Sequence, residues 1–113
     1  MHHVSINVDD VAAAISFYTD VLGLQVRPDR PDFPFGGAWL DAGGEQLHLI
    51  EAPVPPNHGQ HFALCVEDLA AVVGELRGRG VQVSDPVKVG TGLQSFLQDP
   101  AGNTVELQQP GAF

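Results

Sequence analysis

His3-Val-Ser-Ile-Asn-Val-Asp-Asp-Val-Ala-Ala13 and His61-Phe-Ala-Leu-Cys-Val-Glu-Asp-Leu-Ala-Ala71 are one pattern written twice, 58 residues apart. The same offset lays Trp39-Leu-Asp41 on Leu97-Gln-Asp99, and Gly44-Glu-Gln-Leu-His48-Leu49 on Gly102-Asn-Thr-Val-Glu106-Leu107. Four side chains able to ligate a metal therefore occupy matched places, His3 with His61 and His48 with Glu106. Drift does not favour such a coincidence; a symmetric metal site does.

Each copy reads as the same run of elements. Val4, Ile6 and Val8 alternate with His3, Ser5 and Asn7, the period of a strand with one apolar face. Asp9 and Asp10 offer an N-cap, and Val11, Ala14, Ile15, Tyr18 and Leu22 recur at helical spacing until Gly23. Leu24 to Arg27 reads as a short strand and residues 28 to 37 as a Pro- and Gly-rich loop. Ala38 to Ala42 and Glu45 to Glu51 form a hairpin turned at Gly43-Gly44. In the second copy, Gln60 to Val66 is a strand, and Glu67 and Asp68 cap a helix carrying Leu69, Val72, Val73 and Leu76. Val81 to Val83 is a short strand, and Leu93 to Gln98 pairs with Thr104 to Gln108 around Asp99-Pro-Ala-Gly-Asn103. The sequence thus predicts an α+β domain over 1–113, with modules at 1–52 and 60–113 and a linker at 53–59. Side chains alternate across a strand. If the apolar faces pack under the helices, His3, His48, His61 and Glu106 all point to the other face.

With 113 residues the chain is one ordinary domain by size. Five Lys and Arg against fourteen Asp and Glu give a formal charge of -9, which disfavours nucleic acid and anionic membranes as partners. No apolar run reaches the length of a membrane span. Met1 leads into His2 and His3 without a leader-like stretch, and Cys65 is the only cysteine, so a cytoplasmic location is expected.

These residues resemble the vicinal oxygen chelate superfamily, which includes glyoxalase I, methylmalonyl-CoA epimerase, fosfomycin-resistance transferases and extradiol dioxygenases. The likeness rests on His3 with Val8-Asp-Asp-Val11, Phe17-Tyr-Thr-Asp-Val-Leu-Gly23, Trp39-Leu-Asp41 and Leu47-His-Leu49. It continues through His61-Phe-Ala-Leu-Cys-Val-Glu-Asp68, Asp99-Pro-Ala-Gly-Asn103 and Val105-Glu-Leu107. The resemblance implies two tandem βαβββ modules forming a half-open mixed β-barrel around a divalent metal, with His3, His48, His61 and Glu106 at the four ligand positions. Glyoxalase I usually carries an acidic residue where this chain has His48, and epimerases often a glutamine. Many relatives pair modules from two chains, so a homodimer is expected, with sites either shared between chains or held within one.

Neutral imidazoles and one carboxylate suit Zn²⁺, Ni²⁺, Co²⁺, Fe²⁺ or Mn²⁺. Such a site polarises two oxygens of a small oxygen-chelating substrate and stabilises an enediolate or enolate. The leading expectation is a glyoxalase- or epimerase-like lyase or isomerase, with Glu106 as ligand and base and His48 as ligand or opposing acid–base. The alternatives are an Fe(II) extradiol-type dioxygenase on His3, His61 and Glu106, and a drug-binding protein of the bleomycin-resistance type. Elsewhere the plain readings are preferred. His2 points away from the site, His58 lies in the linker, Cys65 is a small filler, and Arg27 and Arg30 are solvated. Trp39, Phe33, Phe35 and Phe96 serve packing before they wall a substrate pocket.

Overall fold

The alternating stretch that opens each repeat is a strand, and it runs parallel to the last strand of its own repeat. The computed structural model describes residues 1–113, which fall into two units: 1–58 with 99–103, and 59–98 with 104–113. The first holds β1 (His3–Val8), α1 (Val11–Ser16), β2 (Gln25–Val26), β3 (Gly37–Ala42) and β4 (Glu45–Glu51). Its sheet has the order β1-β4-β3-β2, with β1 parallel to β4 and the other pairs antiparallel. The second holds β5 (His61–Cys65), α2 (Leu69–Gly78), β6 (Val87–Val89), β7 (Gly92–Gln98) and β8 (Thr104–Gln109). It repeats the arrangement as β5-β8-β7-β6. Each unit thus has the βαβββ plan and α+β character expected of it.

Local chemistry sets these elements. Asp10 and Asp68 are both extended and accept from the backbone N–H groups of Ala13 and Ala71, at 3.0 and 3.1 Å. Each so satisfies an amide that the first helical turn leaves without a partner. Helix α1 packs on β3 and β4, and α2 on β7 and β8. The first core buries Val8, Ala14, Tyr18, Leu40, Leu47 and Leu49; the second buries Leu69, Val73, Leu76, Leu97, Val105 and Leu107. A fully buried aliphatic side chain of this size contributes about 1.5–3 kcal/mol. Gly37 lets β3 approach β4, since a Cβ there would overlap the carbonyl oxygen of Leu49.

Three features depart from the expected pattern. First, the helix expected through Leu22 ends as α-helix at Ser16 and continues as a π-helical turn, Phe17–Val21, in which Leu22 N–H donates to the Phe17 carbonyl at 3.2 Å. The Tyr18 ring stays in the core, and its hydroxyl donates to Asp99 Oδ2 at 2.8 Å. Asp99 Oδ1 accepts from the amides of Ala101 and Asn103, both at 2.9 Å, and Asn103 Nδ2 donates to the Asn7 carbonyl at 2.9 Å. Burial first, and the Asp99 carboxylate second, push the Tyr18 phenol far above its ordinary pKa.

Second, Val81 to Val83 is not a strand. The Arg77 guanidinium takes the Val83 carbonyl at 2.8 Å, and the Ser84 hydroxyl accepts from the Phe96 amide at 2.8 Å, so side chains occupy places a ladder would use. The edge strand forms later, as β6. Third, the second hairpin is out of step by one residue. Trp39 pairs with His48 but Phe96, not Leu97, pairs with Glu106, because five residues turn the second hairpin and two turn the first. Burial agrees, with Leu40 matching Leu97 and Ala38 matching Ser95 in the two cores.

Candidate functional site

The strand registers place the four candidate ligands in two pairs, one per unit. In the first, His3 pairs with Gln46 and Ser5 with His48, so His3 and His48 are diagonal neighbours on one face of adjacent strands. In the second, His61 pairs with Thr104 and Ala63 with Glu106, the same diagonal. Both central positions are buried: His48 is 8% and Glu106 7% exposed. Their strand neighbours Leu47, Leu49, Val105 and Leu107 are buried on the opposite, helix-covered faces.

The second pair sets an imidazole against a carboxylate. His61 Nδ1 donates to the Gly59 carbonyl at 2.8 Å, because a carbonyl can only accept. The other nitrogen, Nε2, lies 3.1 Å from Glu106 Oε1. With Nδ1 holding the ring proton, Nε2 presents a lone pair toward a carboxylate. That juxtaposition calls for a positive species, either a second proton or a metal ion. Fixing a ligand histidine through its remote nitrogen is the usual support of a metal site. Gln108 Nε2 donates weakly to the second oxygen, Glu106 Oε2, at 3.4 Å. Phe96 stands edge-on to His61, with ring centroids 5.3 Å apart.

The first pair is a stack. His3 and His48 lie face to face with centroids 4.0 Å apart and 12° from parallel. Trp39 covers the opposite face of His48 at 4.4 Å and 9°. His48 Nε2 donates to Gln46 Oε1 at 2.9 Å. Burial, then the neighbouring imidazoles of His3 and His2, lower the His48 pKa and favour its neutral form. His2 does not point away as expected: its Nδ1 lies 2.8 Å from His3 Nδ1. The rings continue outward, Phe33 lying 6.3 Å from Trp39 and stacked on Phe35 at 5.0 Å. The Arg30 guanidinium covers both phenyl rings at 5.0 and 5.7 Å and donates to the Phe35 carbonyl at 2.9 Å. Arg27 is held between Asp29 and Asp41 rather than solvated, and these bonds raise its pKa and lower that of Asp29. Cys65 is exposed.

The sequence reading did not single out Gln46, Gly59 or Gln108, and it took Phe96 as packing. Only Phe96 carried a signal, since an offset of 57 sets Ala38-Trp39-Leu40 on Ser95-Phe96-Leu97.

The chain belongs to the Glyoxalase/Bleomycin resistance protein/Dioxygenase superfamily, which matches residues 1–107. An Arabidopsis thaliana lactoylglutathione lyase is 32% identical over 96% of this chain, which spans 44% of that relative. The chain thus covers less than half the length of this plant relative. A lactoylglutathione lyase of Salmonella typhimurium is 29% identical over 93% of the chain and 88% of its own length. Among solved structures, an antibiotic binding protein from Streptomyces superposes with a TM-score of 0.80 at 29% identity, covering 97% of this chain and 94% of its own. No helix is long and apolar enough to cross a membrane.

The donor chemistry can be tested against a divalent ion in each unit. His61 and Glu106 fit as they stand, a lone pair and a carboxylate oxygen already facing each other. His3 and His48 supply suitable nitrogens, but their stacked rings fit only one at a time. An imidazole holds its ion in the ring plane, and the observed 4.0 Å and 12° make the two planes meet roughly 15–20 Å away, against a metal–nitrogen bond of about 2.0–2.1 Å.

Proposed function

We propose that the protein is a divalent-metal-dependent enzyme of the glyoxalase and epimerase type, a lyase or isomerase that moves a proton beside a carbonyl of a small oxygen-chelating substrate. The observation that carries this reading is the His61–Glu106 pair, with its tautomer set by Gly59 and its carboxylate almost fully buried. The names of the plant and bacterial relatives point to the same class of reaction.

His3, His48, His61 and Glu106 are the residues assigned to the work. His61 and Glu106 would hold the ion, with one imidazole of the first repeat supplied by a second copy of the chain. When bound, Zn²⁺, Ni²⁺, Co²⁺, Fe²⁺ or Mn²⁺ supplies Lewis-acid polarisation of substrate oxygens. We assign the substrate proton to Glu106 Oε2, whose contact with Gln108 is long. Burial favours the neutral form of His48, and both it and Glu106 are almost fully buried.

The test is metal analysis of the purified protein, followed by solvent exchange at the substrate C–H with a panel of hemithioacetals and acyl thioesters. Metal-dependent exchange supports the reading, and its absence from metal-loaded protein across the panel sinks it. A second reading, sequestration of a flat small molecule, is favoured by the Streptomyces antibiotic-binding relative and by the exposed Phe33–Phe35 stack. Protein that purifies metal-free and binds such a ligand equally well after His61→Ala would establish that reading instead. Sites shared between two copies are part of the proposal. Mixing His3→Ala with Glu106→Ala protein should then restore a fraction of the metal sites, whereas no recovery assigns each site to a single chain.

A further inference from the structure

The two imidazoles of the first unit are not equivalent. His48 has both faces covered, by His3 at 4.0 Å and by Trp39 at 4.4 Å, and its Nε2 is committed to Gln46. Its ring is locked inside a buried stack on the central strand. His3 lies exposed on the edge strand, with one face on His48 and Nδ1 against His2, which leaves Nε2 open to a ligand. Turning His48 toward an ion would break two stacks and a hydrogen bond; using His3 breaks none of them.

We infer that His48 is a positioning residue, not a metal ligand: the Trp39–His48 stack, pinned by Gln46, is a shelf that fixes the orientation of His3, and His3 supplies the imidazole of the first repeat. The inference rests on the metal-dependent reading above. It predicts that stacking, not nitrogen donation, is what position 48 contributes.

The experiment separates these contributions in the full chain with Zn²⁺ as the probe, measured by calorimetric titration. His48→Phe can stack but cannot ligate, and should keep the parent stoichiometry with a dissociation constant within about three-fold of the parent. His48→Ala removes the shelf and should weaken Zn²⁺ binding about 10–100-fold, the range found when a ligand loses its supporting partner. His3→Ala should weaken binding at least as far as His61→Ala does. X-ray absorption of the unsubstituted Zn²⁺-loaded protein should count two imidazoles, and needs no variant to fold. Three imidazoles, a His48→Phe variant as weak as His3→Ala, or a His48→Ala variant as tight as the parent would each overturn the inference. Failure of the underlying reading looks different: His61→Ala and Glu106→Gln would then leave Zn²⁺ binding unchanged as well.

Discussion

The parallel strand pairs β1–β4 and β5–β8 share one register but have parted in chemistry. At the diagonal beside β1, a ring faces a ring, His3 on His48, with Trp39 closing the other side. At the diagonal beside β5, a ring faces a charge, His61 on Glu106, and Phe96 touches His61 by its edge. Both central residues are almost fully buried, yet one is stabilised by stacking and the other needs a positive partner. Duplication therefore preserved the backbone positions while the side chains divided the labour, one unit cushioning and the other carrying the charge.

The sharpest way to break this comparison is Glu106→Gln. It leaves the shape of the second diagonal but removes its charge, and should lower metal affinity by more than about 100-fold, beyond what loss of a supporting contact produces. Calorimetric titration reads it, and an affinity near that of the parent would mean that the second unit is not the charged half.

The next effect concerns the lone tyrosine. Tyr18 holds the place that Leu76 holds in α2, and its hydroxyl is bonded in the core. Tyr18→Phe should cost about 1–3 kcal/mol by leaving the Asp99 carboxylate short of a donor, seen as a lower urea midpoint. The sign of the pH effect follows from the raised pKa. The folded state keeps the phenol proton that the unfolded chain loses near pH 10, so this contribution is complete below about pH 10 and declines as pH rises beyond it. Tyrosinate absorption should accordingly appear together with unfolding, and a tyrosinate signal from folded protein would contradict it.

Smaller effects test whether the repeats match in their plainer parts. Asp10→Ala and Asp68→Ala should each cost about 1 kcal/mol, and thermal melts that show one of them silent would mark a real difference between the caps. The smallest concerns Ser95, whose buried hydroxyl has no hydrogen-bond partner. The first unit has Ala38 at that position, so Ser95→Ala should change stability by less than about 0.5 kcal/mol or raise it. A clear loss on melting would reveal a partner for the hydroxyl.

Much of this was legible in the residues. The alternation around Val4, Ile6 and Val8, the caps at Asp10 and Asp68 and the Gly43-Gly44 turn each act through neighbours close in sequence, and each appears where it was expected. What escaped depends on partners far away. Nothing near Val81 says that Arg77 will claim the Val83 carbonyl, and nothing near Phe17 requires a π-helical turn. Period-two reasoning set His3 and His48 on one face, but a face does not specify ring orientation. Stacking, rather than convergence on a point, came from Trp39 and Gln46.

The Asp99–Asn103 turn carries a consequence for anyone who would divide the gene. The first unit draws residues 99–103 from the far end of the chain, where Asp99 receives the Tyr18 hydroxyl and Asn103 caps the Asn7 carbonyl. A fragment ending at residue 58 would inherit every strand of its sheet and still lack these five residues, stranding a phenol in its own interior. Such a fragment would need to close that gap by other means, such as taking the turn from a longer copy of the chain.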